Sequence, residues 1–270
     1  MLLALALNAD SGAGLRWTPP ANWKSEAQRP MRLATYTVPP AAGDHEGAEC
    51  GVFYFGQGQG GSVDANMDRW IGQVPAVLNV WFPGEEGGPA IAGVLFGDTN
   101  PSGHTPITFP HRIEDSPSFG NYPGTDGVVN YAEGVYVGYR HYDTKNVEPL
   151  FCFGHGLSYT RFEYKDLKIS AHKTTLTVRN VGPRDGADVV QFYVHPLKPS
   201  VDRPVQELKG FRRTYLRRGE AVTVEFPLDS SMFSWYDGSA KKWVADPGAY
   251  ELRVGSSSRD IRLKGNYELK

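Results

Sequence analysis

Acidic side chains are the residues of this sequence with the clearest potential for catalysis, because paired carboxyl groups can share acid–base work. Retaining hydrolysis of a glycoside needs two carboxyl groups about 5–5.5 Å apart, one ionised and the other with a raised pKa. The candidates are Glu85, Glu86, Asp98, Glu114, Asp115, Glu133 and Asp143. Glu85 and Glu86 are adjacent, so their side chains point in different directions, and turn or capping roles suit Glu86 and Asp98 better. The pattern favours structural roles, and it assigns no catalytic residue.

A glycine-rich run, GQGQGG, places Gly56, Gly58 and Gly61 in the G-x-G-x-x-G spacing of a dinucleotide-binding turn. The run follows a predicted strand and precedes a predicted helix, as that motif requires. The motif also requires an acidic residue at the end of the next strand, but that strand ends at Pro83. The second half of a dinucleotide-binding fold is missing as well. We interpret the run as a turn and predict no cofactor.

Histidine, serine and cysteine patterns give no further chemistry. The sequence contains no G-x-S-x-G run, which esterase chemistry would require. The histidines form no H-x-x-x-H or other ligand cluster, so we predict no metal site; they are His45, His104, His111, His141, His155, His172 and His195. Cys50 and Cys152 lie in apolar runs, which favours buried, inert thiols, and the sequence leaves open whether they pair.

Composition excludes several classes of function. Of the 270 residues, 40% are hydrophobic and 21% are charged, as is ordinary for a soluble globular protein. The 28 basic and 30 acidic residues leave a formal charge of −2, so no basic excess predicts a nucleic-acid partner. The run MLLALALNA lacks the charged start and the cleavage site of a signal peptide, and no stretch reaches the roughly 20 apolar residues of a membrane span. We predict a soluble chain with no membrane partner.

The elements that would position these residues fall into a mixed α/β part followed by an all-β part. Residues 1–49 form an amino-terminal extension in which GLRW and MRLATYTV have the pattern of strands. Residues 50–110 form a partial α/β domain of the order β-α-β-α. Its strands are predicted in ECGVFYFG and AVLNVWF, and its helices in SVDANMDRWIGQ and from about Glu86 to Phe96.

The rest of the chain separates into a connector and a β-sandwich. Residues 111–161 are rich in turns, and the V-Y-V alternation in YAEGVYVGYRHYD predicts a strand there. We expect this segment to wrap over the surface of another domain. Residues 162–270 contain seven short alternating runs separated by Gly, Pro, Asn or Asp, the pattern of an antiparallel sandwich.

Several long runs resemble the family 3 glycoside hydrolases, chiefly β-glucosidases and β-xylosidases. The run WFPGEEGGPAIAGVLFGDTNPSGHTPITFP is similar to the end of that family's second domain, an α/β-sandwich. EGVYVGYRHYD and EPLFCFGHGLSYTRFEY resemble the segment that crosses into the third domain. RPVQELKGFRR, RRGEAVTVEF and WVADPGAYELRVGSSSRDI resemble the fibronectin type III-like domain. The resemblance therefore runs from about residue 70 to the end of the sequence.

This resemblance also shows what is missing from the sequence. In the family, the nucleophilic Asp lies on an amino-terminal (β/α)8 barrel, and nothing here builds eight βα units. The family's acid/base Glu comes from a loop upstream of the matching stretch. Residues 1–73 resemble a different, small secreted bacterial domain instead. The resemblance further implies a periplasmic or secreted location.

Two hypotheses about function follow. The first is a non-catalytic carboxy-terminal scaffold of a β-glucosidase-like enzyme. The alternative is an active glycoside hydrolase that uses an unrecognised carboxylate pair or a separate barrel chain. Aromatic residues concentrated in the family-like stretch would pack against other domains or contact carbohydrate; they are Trp81, Tyr136, Tyr139, Tyr142, Phe151, Phe153 and Tyr159. Without a barrel to cover them, exposed apolar residues predict self-association.

Overall fold

Two short antiparallel sheets make up the described part of the amino-terminal region. The structure is a computed structural model that describes residues 10–12, 15–27, 29, 32–40, 47–52 and 77–270. The chain divides into two compact units between Gly87 and Gly88, and each unit is described by itself. The domain boundaries drawn from the sequence, 1–49, 50–110, 111–161 and 162–270, stay predictions.

In the first unit, strand β1 (Asp10–Gly12) pairs with β2 (Leu15–Trp17), and β3 (Lys24–Ser25), β4 (Ala34–Val38) and β5 (Ala48–Val52) form a sheet in that order. The strands predicted in GLRW and MRLATYTV are confirmed as β2 and β4. Tyr36 on β4 is buried, and its hydroxyl accepts a hydrogen bond of 2.7 Å from Trp17 Nε1. The predicted helix in SVDANMDRWIGQ and the glycine-rich run lie outside the described residues.

The strand predicted in AVLNVWF is wrong for its described part, residues 77–82, which form no strand. Trp81 has a positive φ of 49°, and the side chain of Phe82 is 100% exposed. A strand buried on both faces needs neighbouring strands that satisfy its backbone groups. The described residues supply none beside this segment, so the apolar run has no sheet to join.

A helix follows, as predicted. Helix α1 (Gly87–Leu95) agrees with the range expected from about Glu86 to Phe96. It ends because Gly97 takes a left-handed conformation with φ 80°, and its N–H donates to the carbonyl of Val94. Such a glycine closes many helices, since it has no Cβ to clash. The chain then turns into the segment that contains His104.

The connector segment contains a helix where a strand was expected. Val135 ends a turn, and Tyr136 and Val137 form neither helix nor strand, so the predicted V-Y-V strand is wrong. Gly134 (φ 56°) and Gly138 (φ 53°) flank these residues in left-handed conformations that break an extended strand. Helix α2 (Tyr139–Lys145) begins directly afterwards. A short 3₁₀ turn spans Ile113–Asp115.

The carboxy-terminal region is an antiparallel β-sandwich. Its strands are β6 Phe162–Ile169, β7 Lys173–Asn180, β8 Gly186–Pro196, β9 Glu207–Leu216, β10 Ala221–Pro227, β11 Ser234–Asp237, β12 Lys242–Ala245, β13 Gly248–Gly255 and β14 Ile261–Leu269. One sheet has the strand order β10-β7-β6 and the other β14-β13-β8-β9, while β11 and β12 form a separate hairpin. The seven runs predicted as strands are confirmed, and β11 and β14 are strands that the sequence pattern did not predict.

The sandwich core lies between the two sheets. Alternation along the strands turns one face of each sheet inward, as period-two patterning requires. Phe192 on β8 stacks on Phe226 of β10 with ring centroids 5.0 Å apart, so these two rings join the sheets. Fully burying one such side chain stabilises the fold by about 1.5–3 kcal/mol. The described structure therefore combines a mixed α/β remnant with an antiparallel β-sandwich, which confirms the predicted fold classes.

Candidate functional site

A polar cavity of about 380 Å³ lies at one end of the sandwich. His104, Asp188, Ser256 and Arg262 line it, together with residues 156–158 and 160–162. A concave site where several titratable groups converge is the usual place to look for function. Its chemistry depends on which atoms these side chains contact.

The chain brings His104 to the cavity by pairing the segment around Thr105 with the connector. Thr105 N donates to the carbonyl of His155, and Gly154 N donates to the carbonyl of Thr105, each at 2.8 Å. Gly154 has φ 83°, a conformation that suits glycine, and its carbonyl hydrogen-bonds with His104 Nδ1. Asp188 comes from β8, so the cavity joins the connector to the sandwich.

His104 and Asp188 form a buried ion pair. His104 Nε2 lies 3.3 Å from Asp188 Oδ1, and their side chains are only 11% and 8% exposed. Tyr164 donates its hydroxyl to Asp188 Oδ2 at 2.9 Å, and Val189 N donates to Asp188 Oδ1 at 3.0 Å. Arg262 Nη1 also lies 3.8 Å from Asp188 Oδ2, so the carboxylate has two cationic neighbours and two further donors.

Arg262 holds the other wall of the cavity. Its guanidinium donates to Asp260 at 3.0 and 2.8 Å, to Ser256 Oγ at 3.1 Å and to the carbonyl of Phe162 at 3.0 Å. The guanidinium also lies over the ring of Tyr164, 4.6 Å from its centroid. Ser256 donates its hydroxyl to Asp260 at 2.6 Å. The serine is thus bound to a carboxylate rather than to a histidine.

Burial and hydrogen bonding act in opposite directions on the pKa values of this site. Burial alone would lower the pKa of His104, but hydrogen bonds with Asp188 and with the Gly154 carbonyl raise it above its ordinary value. Burial would raise the pKa of Asp188, yet His104 and Tyr164 bring it below its ordinary value. Burial and the neighbouring Asp188 raise the pKa of Tyr164. Both shifts favour the charged form of the group, so the contact favours an imidazolium beside a carboxylate.

These contacts give the cavity a structural role rather than a catalytic one. A general base needs an unoccupied ring nitrogen facing a reacting proton, but both nitrogens of His104 already contact acceptors. A nucleophilic serine needs such a base as a neighbour, and Ser256 faces Asp260 instead. The ion pair and hydrogen bonds of the cavity hold the connector against the sandwich.

The acids singled out in the sequence do not form a catalytic pair through any described contact. Asp115 pairs with Arg112 at 2.8 Å, and Glu133 accepts a hydrogen bond of 3.0 Å from Asn121. Glu85, Glu86, Asp98 and Glu114 are exposed. Each described side-chain contact of Asp115 and Glu133 is to a cation or an amide, which agrees with the structural roles favoured by the sequence.

Asp143 is the buried member of that set. Its carboxylate accepts from Arg259 Nε at 2.6 Å and from Gln206 Nε2 at 3.0 Å. Arg259 also donates to the carbonyls of Tyr142 and Val147, at 3.0 and 2.9 Å. Burial raises the pKa of Asp143, although Gln206 and Arg259 oppose this. This group of contacts, which we call the Arg259 clasp, ties helix α2 to the sandwich.

Most of the aromatic residues noted in the sequence are used for packing. Tyr139 packs against Phe153 and Tyr193 with centroid distances of 5.0 and 5.9 Å. Phe151 meets Phe109 edge-on, and Tyr142 is buried. Tyr136 and Tyr159 donate their hydroxyls to Asp202 and to the Val94 carbonyl, and Trp81 is exposed. The packing interpretation fits these contacts better than a carbohydrate platform.

Two further kinds of feature, a metal-binding cluster and a membrane-spanning helix, are absent from the described residues. No group of three or more His, Cys, Asp or Glu side chains there is placed to hold a metal ion. No helix among them is long and apolar enough to cross a membrane. Cys50 and Cys152 are free thiols and half-buried, and burial raises the pKa of Cys50.

This chain belongs to the family 3 glycoside hydrolases and corresponds to the carboxy-terminal part of those enzymes. Residues 59–159 match the glycosyl hydrolase family 3 C-terminal domain, and residues 188–258 match the fibronectin type III-like domain. The first match begins at residue 59, upstream of residue 73, where the sequence analysis ended the unrelated segment. The resemblance found in the motifs is thereby confirmed.

Particular relatives are β-glucosidases. Thermostable β-glucosidase B of Acetivibrio thermocellus is 47% identical over 203 residues, which cover 72% of this chain and 27% of that protein. Probable β-glucosidase K of Emericella nidulans is 45% identical over 207 residues, covering 76% of this chain and 25% of that protein. The chain spans about a quarter of the length of the curated relatives it matches.

Solved structures agree. The crystal structure of a family 3 β-glucosidase from Bifidobacterium adolescentis superimposes with a TM-score of 0.72 at 42% identity, covering 75% of this chain and 31% of that one. β-Glucosidase 3B from Thermotoga neapolitana, in complex with glucose, gives a TM-score of 0.70 at 42% identity, covering 75% and 29%. These similarities are to the part of each enzyme that this chain contains.

Sequence reasoning missed the two groups that organise the site. Asp188 and His104 are 84 residues apart, and neither stands in a catalytic spacing. The charged residues within otherwise apolar strands were the available signal, since buried charges are normally paired. Which cation would meet Asp188 depended on the pairing of the connector segments.

Proposed function

We propose that this chain serves as the carboxy-terminal scaffold of a β-glucosidase-like enzyme and contributes no catalytic carboxylate of its own. Its polar cavity is an ion-pair network; of the candidate acids, Asp115, Glu133 and Asp143 contact cations or amides, and the other four are exposed. On this proposal the substrate is a β-glucoside, cleaved by residues supplied elsewhere. The share of the β-glucosidases that the chain matches, about a quarter, supports the same division of work.

The observation that carries the proposal is the number of large apolar side chains exposed along the connector. We call the following set the connector apolar residues: Ile113, Phe119, Tyr122, Val128, Tyr131, Val135 and Val137. Tyr131 is 81% exposed and Tyr122 is 78% exposed. Exposed apolar residues at this density usually mark an interface. The partner that fits best is the catalytic part of a family 3 enzyme.

An activity assay separates this proposal from its alternative. We expect the purified 270-residue chain to show no turnover of an aryl β-glucoside. Adding a family 3 barrel polypeptide as a separate chain should produce turnover. If the chain alone turns over the glucoside, and Glu133→Gln or Glu85→Gln abolishes this activity, the chain is itself a hydrolase and the scaffold proposal is wrong.

Association provides a second readout that does not depend on activity. We expect the chain alone to self-associate, because the connector apolar residues have no cover. The double variant Phe119→Ser/Tyr131→Ser should shift the chain towards the monomer in sedimentation velocity and should bind the barrel polypeptide more weakly. The control Phe211→Ser changes an exposed residue on β9, outside the connector, and should change neither property. Equal effects of the two changes would contradict the assigned interface.

A further inference from the structure

A cleft lined by arginine residues lies at one end of the sandwich. The cleft has a volume of about 520 Å³ and is lined by Arg161, Arg179 and Arg218 together with residues 180–183 and Gly219. The formal charge of the whole chain is −2, so three arginines in one cleft are a local concentration of positive charge. We propose that this cleft binds an oxyanion of the phosphate or sulfate class.

The three guanidinium groups have no carboxylate partner among the described residues. The carboxylates of the nearby Asp185 and Glu220 accept hydrogen bonds from backbone groups and from no guanidinium group among the described contacts. Asp185 accepts from Arg218 N at 2.7 Å, and Glu220 accepts from Arg217 N at 2.7 Å, so both bind backbone N–H groups. The side chains of the arginines themselves remain available for a ligand.

Glu163 is the remaining acid to consider. It lies opposite Arg179 in the pairing of β6 with β7, and so on the same side of the sheet. Its carboxylate pairs with Lys165 at 2.9 Å. The described contact of Glu163 is therefore with Lys165 on its own strand and not with Arg179, which lines the cleft.

Arg184 shows what an occupied arginine looks like at this end of the sandwich. Its guanidinium donates to the carbonyl of Gly97 and lies 5.8 Å from the centroid of the Tyr159 ring. Arg184 is therefore used to hold the connector, and it does not line the cleft. The cleft arginines differ from Arg184, because the described contacts include none from their guanidinium groups.

Asn180 makes the cleft a fixed structure. Its side chain is 0% exposed, and its Oδ1 accepts from Thr160 Oγ1 at 2.6 Å and from Gly182 N at 3.1 Å. Its Nδ2 donates to the carbonyls of Arg184 and Leu216, at 2.7 and 3.1 Å. One fully bonded amide thus ties together the three segments that bear the arginines.

Backbone hydrogen bonds tie the same segments. Val181 N donates to the carbonyl of Arg161 at 2.8 Å, and Gly219 N donates to the carbonyl of Asn180 at 3.0 Å. The guanidinium groups therefore start from anchored backbone positions, which lowers the entropy cost of gathering them around a ligand.

The chemistry of arginine defines the ligand class. A planar guanidinium presents a fork of donors that matches phosphate and sulfate oxygens. Three cations in one cleft favour a multiply charged oxyanion over a single carboxylate. The volume of the cleft leaves room for the rest of a small molecule bearing that group, such as a sugar phosphate.

The test is calorimetric titration of the 270-residue chain at constant ionic strength, with three probes: inorganic phosphate, glucose 6-phosphate and glucose. We expect saturable binding of both phosphates and none of glucose. Tighter binding of glucose 6-phosphate than of phosphate would assign the cleft to a phosphorylated sugar, whereas equal binding would assign it to free phosphate. Constant ionic strength is needed because salt screens exposed charges.

Matched variants make the result decisive. Arg179→Gln and Arg218→Gln should each weaken phosphate binding about tenfold, equivalent to about 1.4 kcal/mol. Arg217→Gln removes the same charge at the neighbouring exposed position that does not line the cleft, and it should change affinity less than about twofold. All three positions are exposed, so the variants should unfold at the wild-type temperature.

Two results would overturn the proposal. One is the absence of saturable phosphate binding by the wild-type chain. The other is an equal loss of affinity in Arg217→Gln and Arg218→Gln, which would mean diffuse attraction to a basic surface. Neither result bears on the scaffold proposal, because that proposal depends on the connector apolar residues.

Discussion

Replacing His104 with glutamine should remove a pH-dependent part of the stability of the chain. The imidazolium attracts Asp188 more strongly than a neutral ring does, because only the protonated ring is charged and donates from both nitrogens, to Asp188 and to the Gly154 carbonyl. Its pKa is raised in the folded chain, so the stabilisation is complete below the unfolded value of about 6.5. It is lost as the pH rises through the raised folded value. Glutamine keeps a hydrogen-bonding amide but carries no charge.

The magnitude follows from the geometry. At 3.3 Å and an effective dielectric constant of about 20, the bare attraction is about 5 kcal/mol. Desolvating the two ions offsets much of this attraction. A hydrogen bond to a charged group contributes about 1.5–3 kcal/mol net. We therefore expect His104→Gln to lower the free energy of unfolding by about 1.5–3 kcal/mol near pH 5.5 and by clearly less near pH 9.

The assay is urea unfolding of the wild type and the variant at both pH values. Burial lowers the pKa values of His141, His155 and His195, so these residues destabilise the fold as the pH falls. The wild-type pH profile therefore mixes opposite contributions. The wild-type-minus-variant difference removes those of His141 and His195, and it retains the repulsion between His104 and His155. His172→Gln, at an exposed position between β6 and β7, is the matched control and should give no difference at either pH.

A difference that stays constant from pH 5.5 to 9 would refute the reasoning, because it would mean that packing of the ring, not its charge, stabilises the connector. A difference that grows with pH would refute it as well, since that is the sign expected for a histidine held neutral.

Two further changes test the sandwich. Arg203 donates to Glu207 at 3.0 and 2.8 Å and to the carbonyl of Phe233 at 2.9 Å, so Arg203→Ala leaves Glu207 with Lys209, 2.8 Å away, as its cationic partner. We expect a loss of about 1.5–3 kcal/mol in unfolding free energy by urea titration, and a change within about 0.5 kcal/mol for the exposed-arginine control Arg217→Ala. Phe192→Ala removes one ring of the stack that joins the sheets and should cost about 3–5 kcal/mol. Phe211→Ala, on the exposed side of β9, should cost less than about 0.5 kcal/mol in the same titration, and equal losses at the two positions would contradict the assigned core.

The strands of the sandwich were predictable because each buries one face against its own chain, so period-two patterns identified most of them. Strand β14 was missed because Gly265 and Asn266 interrupt its pattern, although it pairs with β13 along its length. The strand predicted in AVLNVWF was wrong for a different reason, which concerns its neighbours and not its own pattern. Its apolar residues indicate a buried strand, but a strand depends on neighbours that the described residues do not provide.

The candidate site was less predictable than the fold. The absence of a catalytic spacing favoured structural roles for the acids, and this stays a prediction. The pairing of His104 with Asp188 could not be read from the sequence, because it requires both the Gly154 turn and the position of β8. Side-chain partners separated by many residues depend on tertiary packing, which local patterns do not encode.

The Arg259 clasp has a practical consequence for anyone who would graft the fibronectin type III-like domain onto another enzyme. The composition of the chain invites a cut at residue 162, where the alternating strands begin. Such a cut would discard Asp143 and leave the Arg259 guanidinium without its buried acceptor. It would also strip His104 from Asp188. The portable module is therefore longer than the β-sandwich and must start upstream of residue 104, with the connector carried along as part of it.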